Sequence, residues 1–143
     1  FQVGGGQESG RRGGTLNVPG IVGMGAAIRL AADEWPVRAE RAALLTGVVV
    51  DELTGLAEVR IVAGAEAVSS ILCLAIDGVH GAAVVQAVSD AGFAISAGPA
   101  CSSDSTEASP GLLAMGLTEK EALSCVRLSF GPDNSVDAAR ELG

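Results

Sequence analysis

Small and apolar residues at Ile21, Met24, Gly25, Ile28, Ala32 and Trp35 recur at three- and four-residue intervals, the period of one face of an α-helix. Asn17 is suited to cap that helix and Pro19 to occupy its first turn. Pro36 lacks an amide hydrogen, so the helix is expected to kink or restart there. A second helical pattern runs through Leu45, Val48, Val49 and Leu53 and closes near Gly55. Together these stretches predict a long helical arm.

Beyond the arm the pattern mixes strand and helix periods. Val59 and Ile61 alternate with charged residues, as in a half-buried strand. Ile71 to Ile76 is a continuous apolar run ended by Asp77-Gly78, which predicts a strand covered on both faces. Val84, Val85 and Val88 predict a helix stopped by Gly92, and Phe93 to Ser96 a short strand. From Ala97 to Thr106 the residues are small and polar, which predicts a mobile loop. Short helices are expected over Leu112 to Leu117 and Thr118 to Ser124. Val126, Leu128 and Phe130 then alternate with Arg127 and Ser129, giving a strand with one apolar and one polar face. A last short helix is expected from Val136 to Leu142. The fold class is therefore α/β, in the form of a small α+β domain: a small sheet flanked by helices, preceded by the arm. The domain plan is a glycine-rich segment over 1–17 and a small domain over 18–143.

Composition narrows the functions open to such a fold. In 143 residues, 48% are hydrophobic and 3% aromatic, so aliphatic side chains must fill the core. A net charge of -8 argues against binding nucleic acid through its phosphates. The cysteines are Cys73, Cys101 and Cys125, odd in number and far apart, which does not suit a disulfide framework. With no CxxC pair and with His80 as the single histidine, no metal site is expected. Free thiols point to the cytoplasm. No apolar run reaches the roughly 18 to 20 residues of a membrane span, and no leader-peptide pattern is present. The chain opens on Phe1 within a glycine-rich stretch, as a piece of a longer protein would.

Cys101 lies in SAGPACSSDS, where nothing apolar packs around it, unlike Cys73 in LCLAI or Cys125 before a strand, both of which are expected in the core. A thiol among small polar residues is placed to be reached and ionised; an accidental exposed cysteine is the alternative. Arg127 must face away from the core that Val126 and Leu128 enter. Its guanidinium is able to grip a carboxylate, or else forms an ordinary surface salt bridge. The opening GGGQESGRRGGT has six glycines before Thr15, two arginines and a hydroxyl, a set that could wrap an anion, although it is neither a Walker loop nor a dinucleotide fingerprint. This stretch is expected to be extended and to approach a ligand. His80, at a helix start, and Lys120, in TEKEA, are expected to be solvated.

Three ordered stretches carry a resemblance. GGGQESGRRGGTLNVPGIVGMGAA resembles the junction of the large and small domains in NifS-type cysteine desulfurases, SAGPACSSDSTEASPGLLAMGL their active-site cysteine loop, and VRLSFGPDN their arginine-bearing strand. These enzymes belong to the class V aminotransferases, within the pyridoxal-phosphate fold-type I superfamily. The resemblance implies a C-terminal portion of an enzyme converting L-cysteine to L-alanine. It implies Cys101 as the nucleophile that becomes a persulfide, Arg127 as the partner of the substrate carboxylate, and Thr15 as a contact to the cofactor phosphate of the neighbouring subunit. Pyridoxal phosphate is the implied cofactor, an iron–sulfur scaffold or other acceptor protein the implied sulfur recipient, and a homodimer the implied assembly. The family's Schiff-base lysine lies in the large domain and has no counterpart here, so the chain alone is expected to be inactive. Pro99, Leu16 and Pro132 depart from the family's usual residues. Rival readings are another class V enzyme, such as a selenocysteine lyase, and a non-enzymatic sulfur-relay or interaction domain.

Overall fold

The computed structural model describes residues 3–62, 67–97 and 107–143. The chain divides into two compact units, Phe1–Pro36 and Val37–Gly143.

In the first unit the glycine-rich segment is not the extended loop its composition suggested. It folds back on itself, with Gly13 buried against Gly4: a Cβ on Gly13 would lie 2.5 Å from the Gly4 Cα, so only glycine permits the crossing. Between these contacts Gln7–Gly10 forms a tight turn in which Glu8 (φ 53, ψ 41) and Ser9 (φ 58, ψ 38) adopt left-handed conformations, uncommon for residues with a side chain. A long helix, α1, spans Val18–Leu53. The Asn17 side chain accepts the Gly20 amide at 3.1 Å, the expected cap. The expected restart at Pro36 does not occur. A proline inside a helix removes one of many hydrogen bonds, and α1 continues through it over 36 residues. Before Pro36, Ile21, Met24, Ile28 and Trp35 are exposed.

The second unit is built on a four-stranded sheet. Strands β1 (Val59–Ile61), β2 (Ile71–Ile76), β3 (Ser96–Ala97) and β4 (Cys125–Ser129) lie in the order β1-β2-β4-β3, every pair antiparallel. Helices α2 (Gly81–Asp90), α3 (Pro110–Ala114), α4 (Glu119–Leu123) and α5 (Val136–Leu142) complete it. The expected short strand begins later than the apolar pattern suggested, at Ser96. The expected loop past Ala97 lies outside the described residues.

Because side chains alternate across a strand, the register sorts the sheet into two faces. Leu72 opposite Leu128 and Leu74 opposite Val126 share one face. They pack with Leu45 and Val49 of α1 and Ala139 of α5 into the main core, with Val84 and Val85 of α2 against it. The other face carries Ala75 opposite Cys125 and Cys73 opposite Arg127. It is covered only in part, by Val62, Leu112 and Leu117. Strand β2 is therefore sealed on one side and half-covered on the other. Helix α2 lies tight against the start of β4, where a Cβ on Gly81 would come within 2.6 Å of the Cys125 carbonyl oxygen.

Helix α4 opens on a capping box. The Glu121 amide donates to the Thr118 hydroxyl, and the Glu121 carboxylate accepts the Thr118 amide at 2.8 Å. The same carboxylate holds Arg60 of β1 at 2.7 Å, tying the edge strand to the helix. The Thr118 amide and hydroxyl, then Arg60, hold the Glu121 carboxyl below the ordinary carboxylate range. A carboxyl depressed by folding stabilises above its unfolded pKa and loses that contribution as pH falls through the folded value. Glu121→Gln, which keeps the shape and removes the charge, is expected to lower the melting temperature at pH 7, with the difference from wild type closing in acid. A difference that persists in acid would show that the contribution is not electrostatic.

Candidate functional site

Arg127 sits where its neighbours force it. Val126 and Leu128 enter the core, so the residue between them emerges on the half-covered face, as expected from the alternation. There it lies between two uncharged side chains, with Ser96 of β3 paired on one flank and Cys73 of β2 on the other. Its Nη2 donates to the Ser96 Oγ at 3.4 Å. Among the described residues no carboxylate forms an ion pair with it. A half-buried guanidinium with one long contact to a neutral hydroxyl retains nearly all its capacity for a bidentate anion. The ordinary surface salt bridge, the alternative open from sequence, is not what the described residues form. Nothing in the local sequence marks Ser96, because its pairing with Arg127 is a contact between residues 31 apart.

The two described thiols differ in kind from a reactive cysteine. Cys125 is buried, as expected, and its Sγ donates to the Glu121 carbonyl at 3.2 Å. Burial, and then the neighbouring Cys73, push its pKa to about 11. Cys73, expected in the core, is only half-buried, because its face of β2 is the half-covered one. Burial raises its pKa too, against smaller opposite effects from Cys125 and Arg127. Both thiols stay protonated at neutral pH, and neither is poised as a nucleophile. Cys101 lies outside the described residues. In the chain it follows Ala97, the last residue of β3, by four positions.

Thr15 belongs to the first unit and is exposed. Arg12 orders the backbone beside it, its Nη1 donating to the Gly14 carbonyl at 2.9 Å and the Thr15 carbonyl at 3.4 Å. A hydroxyl on a glycine-bounded turn next to two arginines is a donor set that suits the phosphate end of a cofactor. The aldehyde end finds no such match. Lys120, the single lysine of the sequence, is exposed on α4. It lines a cleft of about 560 Å³ with Asp77 and His80, a cleft to which neither Arg127 nor Thr15 contributes. His80 is the cap of α2, its Nδ1 accepting the Ala82 amide at 3.2 Å, which specifies the solvated role expected of it. Among the described residues no group of three His, Cys, Asp or Glu could hold a metal ion, and no helix is long and apolar enough to cross a membrane.

Known proteins resemble this chain in sequence and in fold. The model of the family described as aminotransferase class-V matches residues 4–142. The chain is 39% identical over 129 residues to "Cysteine desulfurase IscS" of Enterobacter sp. (strain 638), covering 90% of this chain and 31% of that protein. It is 42% identical over 130 residues to the protein of the same name from Anaeromyxobacter sp. (strain Fw109-5), covering 90% and 32%. Among solved structures, a "NIFS-LIKE PROTEIN" superposes with a TM-score of 0.78 at 27% identity, over 99% of this chain and 35% of that one. The NifS-like protein from Rickettsia africae superposes with a TM-score of 0.79 at 26% identity, over 99% and 37%. The chain thus spans about a third of the length of the relatives it matches.

Proposed function

Because the chain belongs to the class V aminotransferase family, with relatives named as cysteine desulfurases, we propose that it is the sulfur-accepting portion of such an enzyme, acting on L-cysteine. The observation that supports this reading most directly is Arg127: a half-buried cation, uncompensated among the described residues, on the strand next to the one that leads toward Cys101.

In the proposed reaction Arg127 grips the carboxylate of L-cysteine and so orients its thiol. Cys101, as thiolate, attacks the substrate sulfur. An S–S bond forms as the C–S bond breaks, the electron pair passes to the carbon fragment, and a proton completes alanine. The sulfur remains on Cys101 as a persulfide. Pyridoxal phosphate, when bound, supplies the electron sink that makes the C–S bond breakable. In this chain Thr15 and its turn suit the phosphate of that cofactor, in the reading that a neighbouring subunit of a homodimer holds it. No residue of this chain is suited to its aldehyde, so the isolated chain is inactive in this proposal. An iron–sulfur scaffold or other acceptor protein takes the sulfur, in the cytoplasm.

The test is to locate the sulfur. After one turnover with L-cysteine in the full-length, cofactor-loaded enzyme, mass spectrometry of its peptides is expected to show a gain of one sulfur on Cys101 and none on Cys73 or Cys125. Sulfur found first on Cys73 or Cys125 would refute the assignment, and no protein-bound sulfur at all would favour a lyase that releases it directly.

A further inference from the structure

We infer that Ser96 is a positioning residue for Arg127, holding the guanidinium in place with an acceptor that does not neutralise it; this rests on the assignment of Arg127 to the substrate carboxylate. The register sets Ser96, Arg127 and Cys73 side by side on one face of three adjacent strands. An arginine side chain reaches its target through several rotatable bonds, and the order of those bonds must come from its surroundings. On one flank Cys73 brings no acceptor of any strength. On the other, the Ser96 Oγ accepts from Nη2 at 3.4 Å, the one hydrogen bond from this guanidinium among the described residues. Backbone pairing of Ser96 with Arg127 and of Ala97 with Val126 anchors that hydroxyl to the same strand that carries the arginine.

The choice of a hydroxyl is itself informative. An aspartate at position 96 would satisfy the guanidinium better and for that reason occupy it. Serine aims the fork through one N–H and leaves the remaining donors free for a second, charged partner. A long contact to an uncharged acceptor is easily shortened, rotated or yielded when a carboxylate arrives.

The experiment uses the full-length, cofactor-loaded enzyme. Ser96→Ala is expected to raise KM for L-cysteine by about 3- to 10-fold, the effect of losing one long hydrogen bond, with kcat changed less than about 2-fold. The dissociation constant of the product L-alanine should weaken by the same factor, while that of ethylamine, which lacks a carboxylate, should not move. Ser96→Thr should restore both values, and Ser96→Asp should weaken L-alanine by more than about 10-fold by supplying an internal counter-ion. Thermal unfolding of each variant separates a folding defect from a binding one. If Ser96→Ala and Ser96→Asp bind L-alanine like wild type while Arg127→Lys does not, the positioning role of Ser96 is overturned and the role of Arg127 stands. If Arg127→Lys also binds like wild type, the carboxylate assignment itself falls.

Discussion

Replacing Cys101 by alanine in the full-length, cofactor-loaded enzyme is expected to abolish sulfur release from L-cysteine, by at least about 10³-fold, because a covalent step has no partial substitute for its nucleophile. The loss should fall on kcat, with L-cysteine still binding, since the proposed reaction assigns the carboxylate grip to Arg127 and not to Cys101. Thermal unfolding of the variant beside wild type separates the loss of a nucleophile from a loss of folding. The same variant separates the rival within the family. A C–Se bond is weaker than a C–S bond, so an enzyme built for selenocysteine releases its chalcogen without attack by a thiol. A desulfurase should therefore lose activity on cysteine alone when Cys101 is removed, and retain turnover of selenocysteine. Undiminished cysteine turnover by Cys101→Ala would sink the desulfurase reading.

Leu45→Ala is expected to cost about 2–5 kcal/mol, the range for removing a fully buried leucine. Leu45 has no exposed surface and sits with Val49, Leu72, Leu74, Val126, Leu128 and Ala139 at the centre of the main core. Strand β4, which carries Arg127, and its neighbour β2 both put their inward residues on this cluster. The cavity would be lined by groups from α1, β2 and β4, which cannot all move inward at once. For a unit of this size the melting temperature should fall by roughly 10 °C or more. Denaturant unfolding is the direct measurement: the midpoint should drop with the slope unchanged. A loss under about 1 kcal/mol would mean that the core closes over the missing atoms, and that α1 is not the clamp its packing indicates.

The glycine-rich turn shows where local reading ran out. Six glycines and two arginines spelled a segment able to approach an anion, and composition suggested an extended form. The crossing of Gly13 over Gly4 joins residues nine apart by fitting backbone against backbone. Glycine permits many conformations equally, so its presence announces freedom without saying which form is taken. The restart expected at Pro36 fails for a related reason. Its local preference is against a helix interior, but the helical residues on both sides outweigh one lost hydrogen bond.

Features decided within a few residues of chain were legible in the amino-acid order: the Asn17 cap and the alternation that turns Arg127 away from the core. Each depends on rotamers, periods or solvation that neighbours in the chain dictate. The antiparallel order β1-β2-β4-β3, the unequal burial of Cys73 and Cys125, and the meeting of Ser96 with Arg127 were decided only when distant segments packed together. No local pattern encodes which strands become neighbours, because that choice is made by the total burial of apolar surface.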